Sequence, residues 1–550
     1  MVVMIEGNST HTPWTYRNAT LSDRLIEMST IKEVLLAREA DCELPALSWY
    51  QDGVCGERWS YSQLTQKVAN LAAELTSHEG ITKGARIVVL SRNCPEVYLL
   101  YLAILSIGAI AVPVNNEESP RALEFICRRV EPSLIVVGRD VARNLLVGID
   151  APICSADVLA ARQKAQLRVW PDVSPDDIGV ILFTSGTTSV PKGVCLSQYN
   201  LLVNAEALRR SHELDRNRSH LCVLPLFHAN AFGFSMIASI YSGCHVVLYE
   251  GMFGRDLWAI LRAERVNVFS TVPDILRLLA SQSHTKEKLP DLRFVTCAAA
   301  PLANSVADAF ENHTGIAIHQ GYGLSECTNF AATMPCNISN EARRKLMGTW
   351  EVPSVGPAIF GTEIRIARPG GAPASPEEKG EVLISGHNVM SGYWRAKDET
   401  DMTFRDGWLH TGDVGFFVEL DGEAYFFIAG RLKELIIRHG DNIAPHAVEG
   451  ELAGLELLGR FAVCGFANDA AGEEIGIYIH APFTVQARRS AVDIVSRCAS
   501  RYRPRVVLFG DRPIPTTVTG KVRRNVLAKH FDRFRTSVFG SRPWIAGIDR

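Results

Sequence analysis

A hydroxyl-rich loop follows an apolar run near the middle of the sequence. Residues 184–193 read TSGTTSVPKG, directly after the apolar run IGVILF at 178–183. A simple turn needs one glycine or asparagine, whereas this loop combines five hydroxyl side chains, two glycines and a lysine. Backbone N–H groups, hydroxyls and one point charge can together surround phosphate oxygens. The loop therefore indicates a site for a phosphate-containing ligand.

Better-known motifs do not fit the sequence. In a Walker A loop a glycine precedes the lysine, but here Pro191 precedes Lys192. The segment GYGLSE at 321–326 begins like a dinucleotide-binding fingerprint, yet Glu326 occupies the place of its third glycine. The nucleophile elbow GxSxG and the zinc-binding HExxH are absent from the sequence.

Six further segments follow this loop along the chain. They read LPLFH at 224–228, AAAPL at 298–302, QGYGLSE at 320–326, WLHTGD at 408–413, GRLKELI at 430–436 and PTTVTGK at 515–521. With TSGTTSVPKG, they closely resemble the ordered motifs of the adenylate-forming superfamily, which includes acyl-CoA synthetases, luciferase-like ligases and peptide-synthetase adenylation domains. The similarity runs from about Trp59 to Leu527, with Ser325 in place of the threonine of the YGxTE motif.

The resemblance implies a site for ATP, in which a carboxylate attacks the α-phosphate. Because that step places negative charge on phosphoryl oxygens, cations and donors held there stabilise the transition state. The implied catalytic residues are Lys521, Glu326, Lys192 and Thr184, and Glu326 would also hold Mg²⁺. The implied phosphate-binding residues are Thr184, Ser185, Gly186, Thr187, Thr188 and Lys192. The rest of the implied cofactor site is Ala298, Ala299, Ala300, Gly321, Tyr322, Gly323, Ser325, Glu326, Asp413, Arg431, Lys433, Gly440 and Lys521.

Within this site, the resemblance implies that Tyr322 stacks on adenine and that Asp413 accepts from the ribose hydroxyls. Arg431 would donate nearby, and Lys521 would contact the carboxylate and the α-phosphate. Ser189 occupies a position where the family usually has glycine. If that position needs a positive φ, a serine there costs about 1 kcal/mol; otherwise its hydroxyl adds a phosphate donor.

The implied acid pocket is lined by mostly small or apolar residues, namely His228, Asn230, Gly233, Thr271 and Gly321, together with Ala298. Amino-acid-activating relatives carry an aspartate in this region that pairs with the substrate ammonium, whereas the chain reads FHAN at 227–230. Since a buried, unpaired ammonium is costly, α-amino acids are disfavoured. An acyl, aryl or polycyclic acid is the expected small-molecule substrate.

The elements that must position these residues follow from the apolar pattern. Apolar β-branched runs alternate with amphipathic stretches, for example at 220–224, 244–249, 256–264 and 266–269, which predicts βα units and largely parallel sheets. We expect an α/β fold, with a large N-terminal region of several subdomains at 1–430 and a small, mobile α+β domain at 431–550. The resemblance places the hinge near Lys433. The basic run 523–535 is expected to lie, solvated, on the last helix.

In the resembling family the small domain turns after adenylation, so that Lys521 leaves the site and the loop at 438–445 replaces it. Gly440 would let the pantetheine arm of coenzyme A approach the backbone closely. The predicted enzyme is an acid–thiol ligase that forms an acyl-adenylate and then an acyl-CoA thioester, releasing pyrophosphate and AMP. The predicted cofactors are ATP, Mg²⁺ and coenzyme A.

Three alternatives are weighed against this function. A ligase that loads an acyl carrier protein uses the same chemistry, but the sequence shows no long insertion between the two regions' motifs. A luciferase-like oxygenase is disfavoured because Ile437 occupies the place of the lysine that such relatives carry four residues beyond the hinge lysine. A non-catalytic ATP-binding protein is disfavoured because both Glu326 and Lys521 are present.

Composition and charge bear on solubility, binding partners and cellular location. The 550 residues are 47% hydrophobic and 21% charged, with a formal net charge of −3, which predicts a soluble globular protein that does not bind nucleic acid. The 13 cysteines form no CxxC pair, and the first residues lack a basic signal-peptide region, which favours the cytoplasm. The uncharged stretch 97–114 is divided by Gly108 and Pro113, so we expect a core helix and a strand rather than an integral membrane segment.

Overall fold

Apolar runs and amphipathic helices alternate to build two large, mostly parallel sheets. The computed structural model describes residues 24–77, 80–139, 141, 146, 148–161, 169–184, 191–251, 255–281, 289–516, 522–540 and 542–548, and the backbone of a two-stranded ribbon, Thr15–Tyr16 and Ala19–Thr20. The helices of the first 430 residues are Ile31–Ala37, Tyr61–Ser77, Pro95–Ser106, Pro120–Val130, Ala156–Ala161, Gln198–His212, Ser239–Ser242, Arg255–Ala263, Pro273–Ser281, Asn304–Thr314, Asn340–Gly348 and Lys397–Thr403, with a π-helix at Asn230–Ala238. The α/β class predicted from the sequence is confirmed.

The first sheet carries the hydroxyl-rich loop at one side. Its seven strands lie in the order Gly392–Tyr393, Lys192–Ser197, Ile178–Thr184, Ile110–Val114, Arg86–Leu90, Leu134–Val137 and Ile153–Ser155. The last five are parallel, and Lys192–Ser197 runs antiparallel to both of its neighbours. The loop thus connects a central strand to an antiparallel strand close to the sheet edge.

The second sheet provides the carboxyl ends at which the other motifs lie. Its eight strands lie in the order Ala332–Thr333, Ala317–Tyr322, Phe294–Cys297, Val268–Thr271, Ser219–Cys222, His245–Glu250, Pro45–Gln51 and Val54–Ser60. Neighbouring strands run parallel, except that each outermost strand, Ala332–Thr333 and Val54–Ser60, is antiparallel to its neighbour. Ligands of open parallel sheets bind beyond the carboxyl ends of the strands, and the motifs at 298–302 and 320–326 begin at these ends.

A third sheet is antiparallel and positions the aspartate and arginine motifs. It consists of Ser354–Gly356, Glu423–Arg431, Trp408–Leu420, Gly380–Gly386 and Thr362–Ala367, with Phe404–Arg405 paired to Trp408–Leu420. In its central hairpin, Asp413 is the register partner of Arg431. Two residues that are 18 apart in sequence are therefore direct cross-strand neighbours.

The chain beyond residue 431 folds around a fourth sheet. Its strands are Asp441–Ile443, Ile436–Arg438, Gly472–His480, Val506–Gly510 and Trp544–Gly547, with Arg460–Asn468 paired to Gly472–His480. Its helices are Pro445–Glu451, Val485–Arg497 and the short Arg524–Leu527, which continues as a 3₁₀ helix at Ala528–Phe534. Its buried residues form clusters separate from the large core that extends from Ile31 to Phe427. The boundary at residue 430 and the mobility of the smaller part stay predictions.

Among the described residues, few polar contacts join this part to the rest of the chain. Arg277 pairs with Glu456 at 3.1 Å, and Asp274 pairs with Arg460 at 3.4 Å. The Tyr502 hydroxyl donates to Glu351 at 3.4 Å. All three contacts lie at exposed side chains.

The uncharged stretch at 97–114 folds as expected. The helix Pro95–Ser106 is buried along almost its whole length, and Gly108, with φ of +71°, turns the chain into the buried strand Ile110–Val114. In the described part of the chain, no helix has both the length and the apolar character to cross a membrane.

Three buried histidines pack against aromatic rings on and beside the second sheet. The rings of His212 and His220 lie 4.8 and 4.6 Å from that of Phe234, and His319 stacks on Phe294 at 4.4 Å. Burial lowers the pKa of His220 to about 3 and that of His319 to about 4. These rings are therefore neutral in the folded protein over most of the acidic range.

We expect the stability of the protein to fall as the pH drops from 6.5 towards 4, because His220 and His319 take up protons in the unfolded chain but stay neutral in the folded protein. Above pH 6.5, the pKa of an unfolded histidine, both rings are neutral in the folded and the unfolded chain, so the pH has no effect through them. Between pH 6.5 and the folded pKa, the free energy of unfolding falls by about 1.4 kcal/mol per pH unit for each histidine. Thermal unfolding midpoints measured between pH 7.5 and pH 5 test this for the wild type and for His319→Asn, which should show a shallower slope. Parallel pH curves for the two proteins would contradict it.

Candidate active site

The ends of the hydroxyl-rich loop meet across a strand pair. Thr184 and Lys192 are register partners in the antiparallel pair of Ile178–Thr184 and Lys192–Ser197. The predicted phosphate donors Ser185, Gly186, Thr187 and Thr188, as well as Ser189, lie outside the described residues. The pairing sets the lysine at the base of the loop, next to its first threonine.

Lys192 and Glu326 converge on a tyrosine from a third segment. The Lys192 Nζ lies 4.9 Å from the ring centroid of Tyr393, whose hydroxyl donates to Glu326 Oε1 at 2.8 Å. The Met390 N–H donates to the Glu326 carbonyl at 2.8 Å. Burial and the Glu326 charge raise the pKa of Tyr393, so its hydroxyl keeps its proton. Sequence reasoning missed Tyr393 because it belongs to none of the ordered motifs, and its contacts with Lys192 and Glu326 join segments that are distant in sequence.

We expect Tyr393→Phe to raise KM for ATP about 3- to 10-fold, which corresponds to about 0.7–1.4 kcal/mol, the net contribution of a typical hydrogen bond. The phenylalanine ring remains beneath Lys192, whereas Tyr393→Leu removes both the ring and the hydroxyl and should weaken ATP binding further. Pyrophosphate release at varied ATP concentration measures the effect. An unchanged KM in Tyr393→Phe would show that the hydroxyl does not hold Glu326 for the nucleotide.

A second polar group joins the second and third sheets. The Tyr322 hydroxyl donates to Asp413 Oδ2 at 2.7 Å, and Arg431 Nε lies 3.0 Å from Asp413 Oδ1. Burial, with the Asp413 charge, raises the pKa of Tyr322 well above 10, and the same carboxylate raises the pKa of Arg431. Asp413 is thereby held in a fixed orientation, with acceptor capacity left for a ligand hydroxyl. The structure brings these three predicted residues together.

The backbone between Gly321 and Thr328 is tightly constrained. A Cβ at Gly323 would lie 1.8 Å from the Asn329 carbonyl oxygen, and one at Gly321 would lie 2.9 Å from the Phe330 ring. Ser325 and Glu326 belong to the one-turn 3₁₀ helix Ser325–Cys327. Thr328 follows with φ of +70° and ψ of −55°, a conformation that is costly for a β-branched residue and typical of functional sites.

The alanine motif begins where the strand Phe294–Cys297 ends. Ala298 is buried and donates its N–H to the Thr271 carbonyl at 3.1 Å. Ala299 adopts φ of +69° and is exposed, and Ala300 is half-buried. The segment therefore offers its backbone at the same sheet edge as Tyr322.

Three of the predicted acid-pocket residues, His228, Asn230 and Gly233, lie on or just before the π-helix Asn230–Ala238. Burial lowers the pKa of His228 to about 4, so this histidine is neutral at pH 7. A Cβ at Gly233 would lie 3.2 Å from that of Asn329, a residue that sequence reasoning did not select. Thr271 follows Ser270 in one strand, and since side chains alternate between the faces of a sheet, these two side chains lie on opposite faces. The role of Thr271 stays a prediction.

Of the predicted hinge and tail residues, the structure describes Lys433 and Gly440. Lys433 is exposed in the 3₁₀ helix Leu432–Glu434, and Gly440, with φ of +88°, closes the turn between Ile436–Arg438 and Asp441–Ile443. Among the described contacts, no hydrogen bond or ion pair joins Lys433 or Gly440 to Asp413 or Glu326. Lys521 lies outside the described residues.

One expectation for the basic tail is wrong. Arg524 was expected to be solvated, but its side chain is 14% exposed and forms ion pairs with Glu449 at 2.7 Å and Glu434 at 3.4 Å. The expected helix is also only one turn long before it tightens into the 3₁₀ helix Ala528–Phe534. Because Glu434 and Glu449 pair with its charge, this arginine can be buried within the smaller part of the chain.

Within the described ranges, no group of three or more His, Cys, Asp or Glu side chains could hold a metal ion by itself. This agrees with Mg²⁺, which proteins usually bind through one or two carboxylates completed by substrate phosphates and water. Glu326 supplies one such carboxylate, with one oxygen oriented by Tyr393. The donor set thus fits an ion that arrives with a nucleotide.

Comparisons with known proteins agree with this geometry. A family model described as "AMP-binding enzyme" matches residues 37–394. A feruloyl-CoA synthase from Amycolatopsis sp is 31% identical over 489 residues, covering 86% of this chain and 94% of the relative. An oxalate–CoA ligase from Arabidopsis thaliana is 28% identical over 492 residues, covering 86% and 93%. The crystal structure of ATP-bound MatB from Rhodopseudomonas palustris has a TM-score of 0.80 at 24% identity, covering 93% of this chain and all (100%) of the other.

Proposed function

Because the chain belongs to the AMP-binding enzyme family, we propose that it is an ATP-dependent carboxylate–CoA ligase. A carboxylate oxygen of the acid attacks the α-phosphorus of ATP, the bond to pyrophosphate breaks, and an acyl-adenylate forms. The sulfur of coenzyme A then attacks the acyl carbonyl carbon, the bond to AMP breaks, and the thiol proton is released. Membership of the family confirms the resemblance carried by the ordered motifs.

The observation that carries this proposal is the convergence of Lys192 and Glu326 on Tyr393. A fixed cation and a fixed carboxylate close together suit a metal–polyphosphate, because Lys192 can meet phosphate oxygens while Glu326 holds the ion that neutralises them. Mg²⁺ bound there would draw electron density from the phosphates and so favour departure of pyrophosphate. Thr184 and the predicted donors at 185–188 would complete the phosphate site.

The Tyr322–Asp413–Arg431 group supports a nucleoside beside those phosphates. Asp413 is a buried, fixed acceptor that suits ribose hydroxyls, and the backbone at 298–300 and 321–323 suits the adenine edge. Lys521 would approach the reacting carboxylate from the part of the chain beyond the hinge at Lys433. Gly440 would come to the site in the second step, where its lack of a side chain admits the pantetheine arm.

Coenzyme A is the proposed acceptor because relatives that cover most of this chain include a feruloyl-CoA synthase and an oxalate–CoA ligase. An acyl carrier protein is the alternative acceptor. All 13 cysteines are free thiols, which suits the reducing cytoplasm.

The test is pyrophosphate release from ATP and Mg²⁺ with a panel of fatty, aryl, polycyclic and amino acids, followed by thioester analysis with coenzyme A. We expect release with one class of non-amino acids and formation of its acyl-CoA. A thioester formed only on a carrier protein would replace the proposed acceptor, and no release with any acid would overturn the proposed function.

A further inference from the structure

A strained turn follows Glu326. The Asn329 N–H donates to the Cys327 carbonyl at 2.8 Å, and Thr328 between them adopts φ of +70° and ψ of −55°. This combination is the γ-turn with a positive φ at its central residue, which is rare in proteins, and the conformation is costly for a β-branched side chain. Such a conformation persists only where surrounding contacts hold it, so the groups that bind this turn fix the course of the chain beside Glu326.

Asn388 binds this turn from a segment that lies 60 residues further along the chain than Thr328. Its side-chain amide nitrogen donates to the carbonyls of Cys327 and Phe330, each at 3.2 Å. Its backbone carbonyl accepts from the Thr328 hydroxyl at 2.6 Å. The carbonyl that closes the turn, the central residue of the turn and the chain that leaves it are therefore all bound to one residue, which is 1% exposed.

The amide of Asn388 is itself held in one orientation. The Thr362 hydroxyl donates to its oxygen Oδ1 at 2.9 Å, which directs the nitrogen Nδ2 towards the two carbonyls. The Asn204 amide adds a donor to the Phe330 carbonyl at 2.9 Å. Thr362 and Asn204 are buried as well, so a rotated Asn388 amide would leave buried donors and acceptors without partners.

The segment that contains Asn388 also reaches Glu326. The Met390 N–H donates to the Glu326 carbonyl at 2.8 Å, and the Tyr393 hydroxyl donates to the Glu326 carboxylate at 2.8 Å. Tyr393 therefore orients the carboxylate, whereas Met390 and Asn388 hold the backbone that carries it. Because a side chain follows its backbone, a change at the turn would displace the carboxylate even with Tyr393 in place.

We propose that Asn388 is a positioning residue for Glu326, because it holds the γ-turn at Thr328 and thereby sets where the Glu326 carboxylate meets the Mg²⁺ that arrives with ATP. This inference rests on the proposed function, in which Glu326 binds that ion. Mg²⁺ requires nearly ideal octahedral geometry and takes only one or two protein carboxylates, so the placement of a single carboxylate matters. Groups that orient a metal ligand typically change metal affinity or activity about 10–100-fold when they are replaced.

The test is Asn388→Leu, which keeps the approximate size of the side chain, adds no charge and removes the amide. Calorimetry gives the affinity for ATP with Mg²⁺ and with EDTA, and the ratio of the two affinities is the gain that Mg²⁺ brings. We expect this gain to fall about 10-fold or more in Asn388→Leu. The affinity for AMP should stay within about threefold of that of the wild type, because AMP lacks the β- and γ-phosphates and the strand Ala317–Tyr322 holds Tyr322 separately.

Two substitutions of Thr328 test the same turn from its other side. Thr328→Val keeps the β-branched shape and removes the hydroxyl that donates to Asn388, so the gain from Mg²⁺ should fall about 3- to 10-fold. Thr328→Ser keeps the hydroxyl and should retain the gain.

The matched control is Asn468→Leu. Asn468 is a buried asparagine of the smaller part of the chain, and its amide donates to three backbone carbonyls at 2.9, 3.3 and 3.4 Å. Its replacement should lower the thermal midpoint but leave the gain from Mg²⁺ unchanged, so a loss of stability by itself is distinguished from a loss of positioning.

An unchanged gain in folded Asn388→Leu, or an equal gain in Thr328→Val and Thr328→Ser, would overturn the positioning role, and so would a wild type whose ATP affinity does not depend on Mg²⁺. Equal weakening of AMP and of ATP with Mg²⁺ would contradict a role specific to Glu326. Thermal midpoints identify the folded variants, and if Asn388→Leu does not fold, the two Thr328 variants decide. Pyrophosphate release with the panel of acids is measured separately; silence with every acid would overturn the ligase function, while the calorimetric ratios still decide the role of Asn388.

Discussion

Replacing Gly323 with alanine is expected to lower kcat/KM for ATP by about 100-fold or more, since displacing a binding group by about 1 Å can cost that much. The added Cβ would lie 1.8 Å from the Asn329 carbonyl oxygen and 2.8 Å from the Phe330 Cα. Both neighbours are backbone atoms that cannot rotate away, so the loop itself must move. Tyr322 and Glu326, on either side of Gly323, would move with it.

The matched control is Gly348→Ala, because a Cβ at Gly348 meets nothing within 4 Å and its φ is not in the left-handed region. ATP affinity measured by calorimetry and pyrophosphate release should both be affected at Gly323 and neither at Gly348. If Gly323→Ala folds and binds ATP normally, the loop is not the rigid nucleotide-binding element that its packing indicates.

Lys521→Ala is expected to reduce acyl-adenylate formation by about 10²–10³-fold, the usual cost of removing one group that stabilises transition-state charge. Thioester formation from a supplied acyl-adenylate should remain largely intact, because the bond to pyrophosphate is already broken in that substrate and, in the proposed turn of the smaller part, Lys521 no longer contacts it. The two half-reactions are measured separately, as pyrophosphate release and as consumption of acyl-adenylate by coenzyme A.

Lys529→Ala is the control for Lys521, because it removes an exposed lysine from the 3₁₀ helix that follows in the same part of the chain. Normal rates in both half-reactions are expected there. Equal losses of both half-reactions in Lys521→Ala would indicate a general structural role and would overturn the proposed exchange of Lys521 for the loop that contains Gly440.

Local pattern predicted the main strands closely. The apolar run at 178–183 corresponds to Ile178–Thr184, and the runs at 220–224, 244–249 and 266–269 overlap Ser219–Cys222, His245–Glu250 and Val268–Thr271. These segments are buried in sheets, so their apolar content reports their environment directly.

Contacts between distant segments could not be predicted in this way. Tyr393 meets Glu326 because Gly392–Tyr393 joins the edge of the first sheet, a pairing over nearly 200 residues that no local pattern encodes. Arg524 resembles any basic residue of a solvated helix until Glu434 and Glu449 are brought beside it. The π-helix was equally hidden, because the apolar stretch at 231–238 also fits an α-helix.

The exposed contacts between residues 274–351 and 456–502 bear on how readily the smaller part of the chain changes orientation. Surface ion pairs such as Arg277–Glu456 and Asp274–Arg460 contribute about 0–1 kcal/mol each, and dissolved salt screens them. Contacts this weak would add little resistance to the proposed turn of the smaller part, and a higher ionic strength would reduce that resistance further. Salt concentration would then act on turnover through domain geometry even where it leaves the chemistry of the bound substrates untouched.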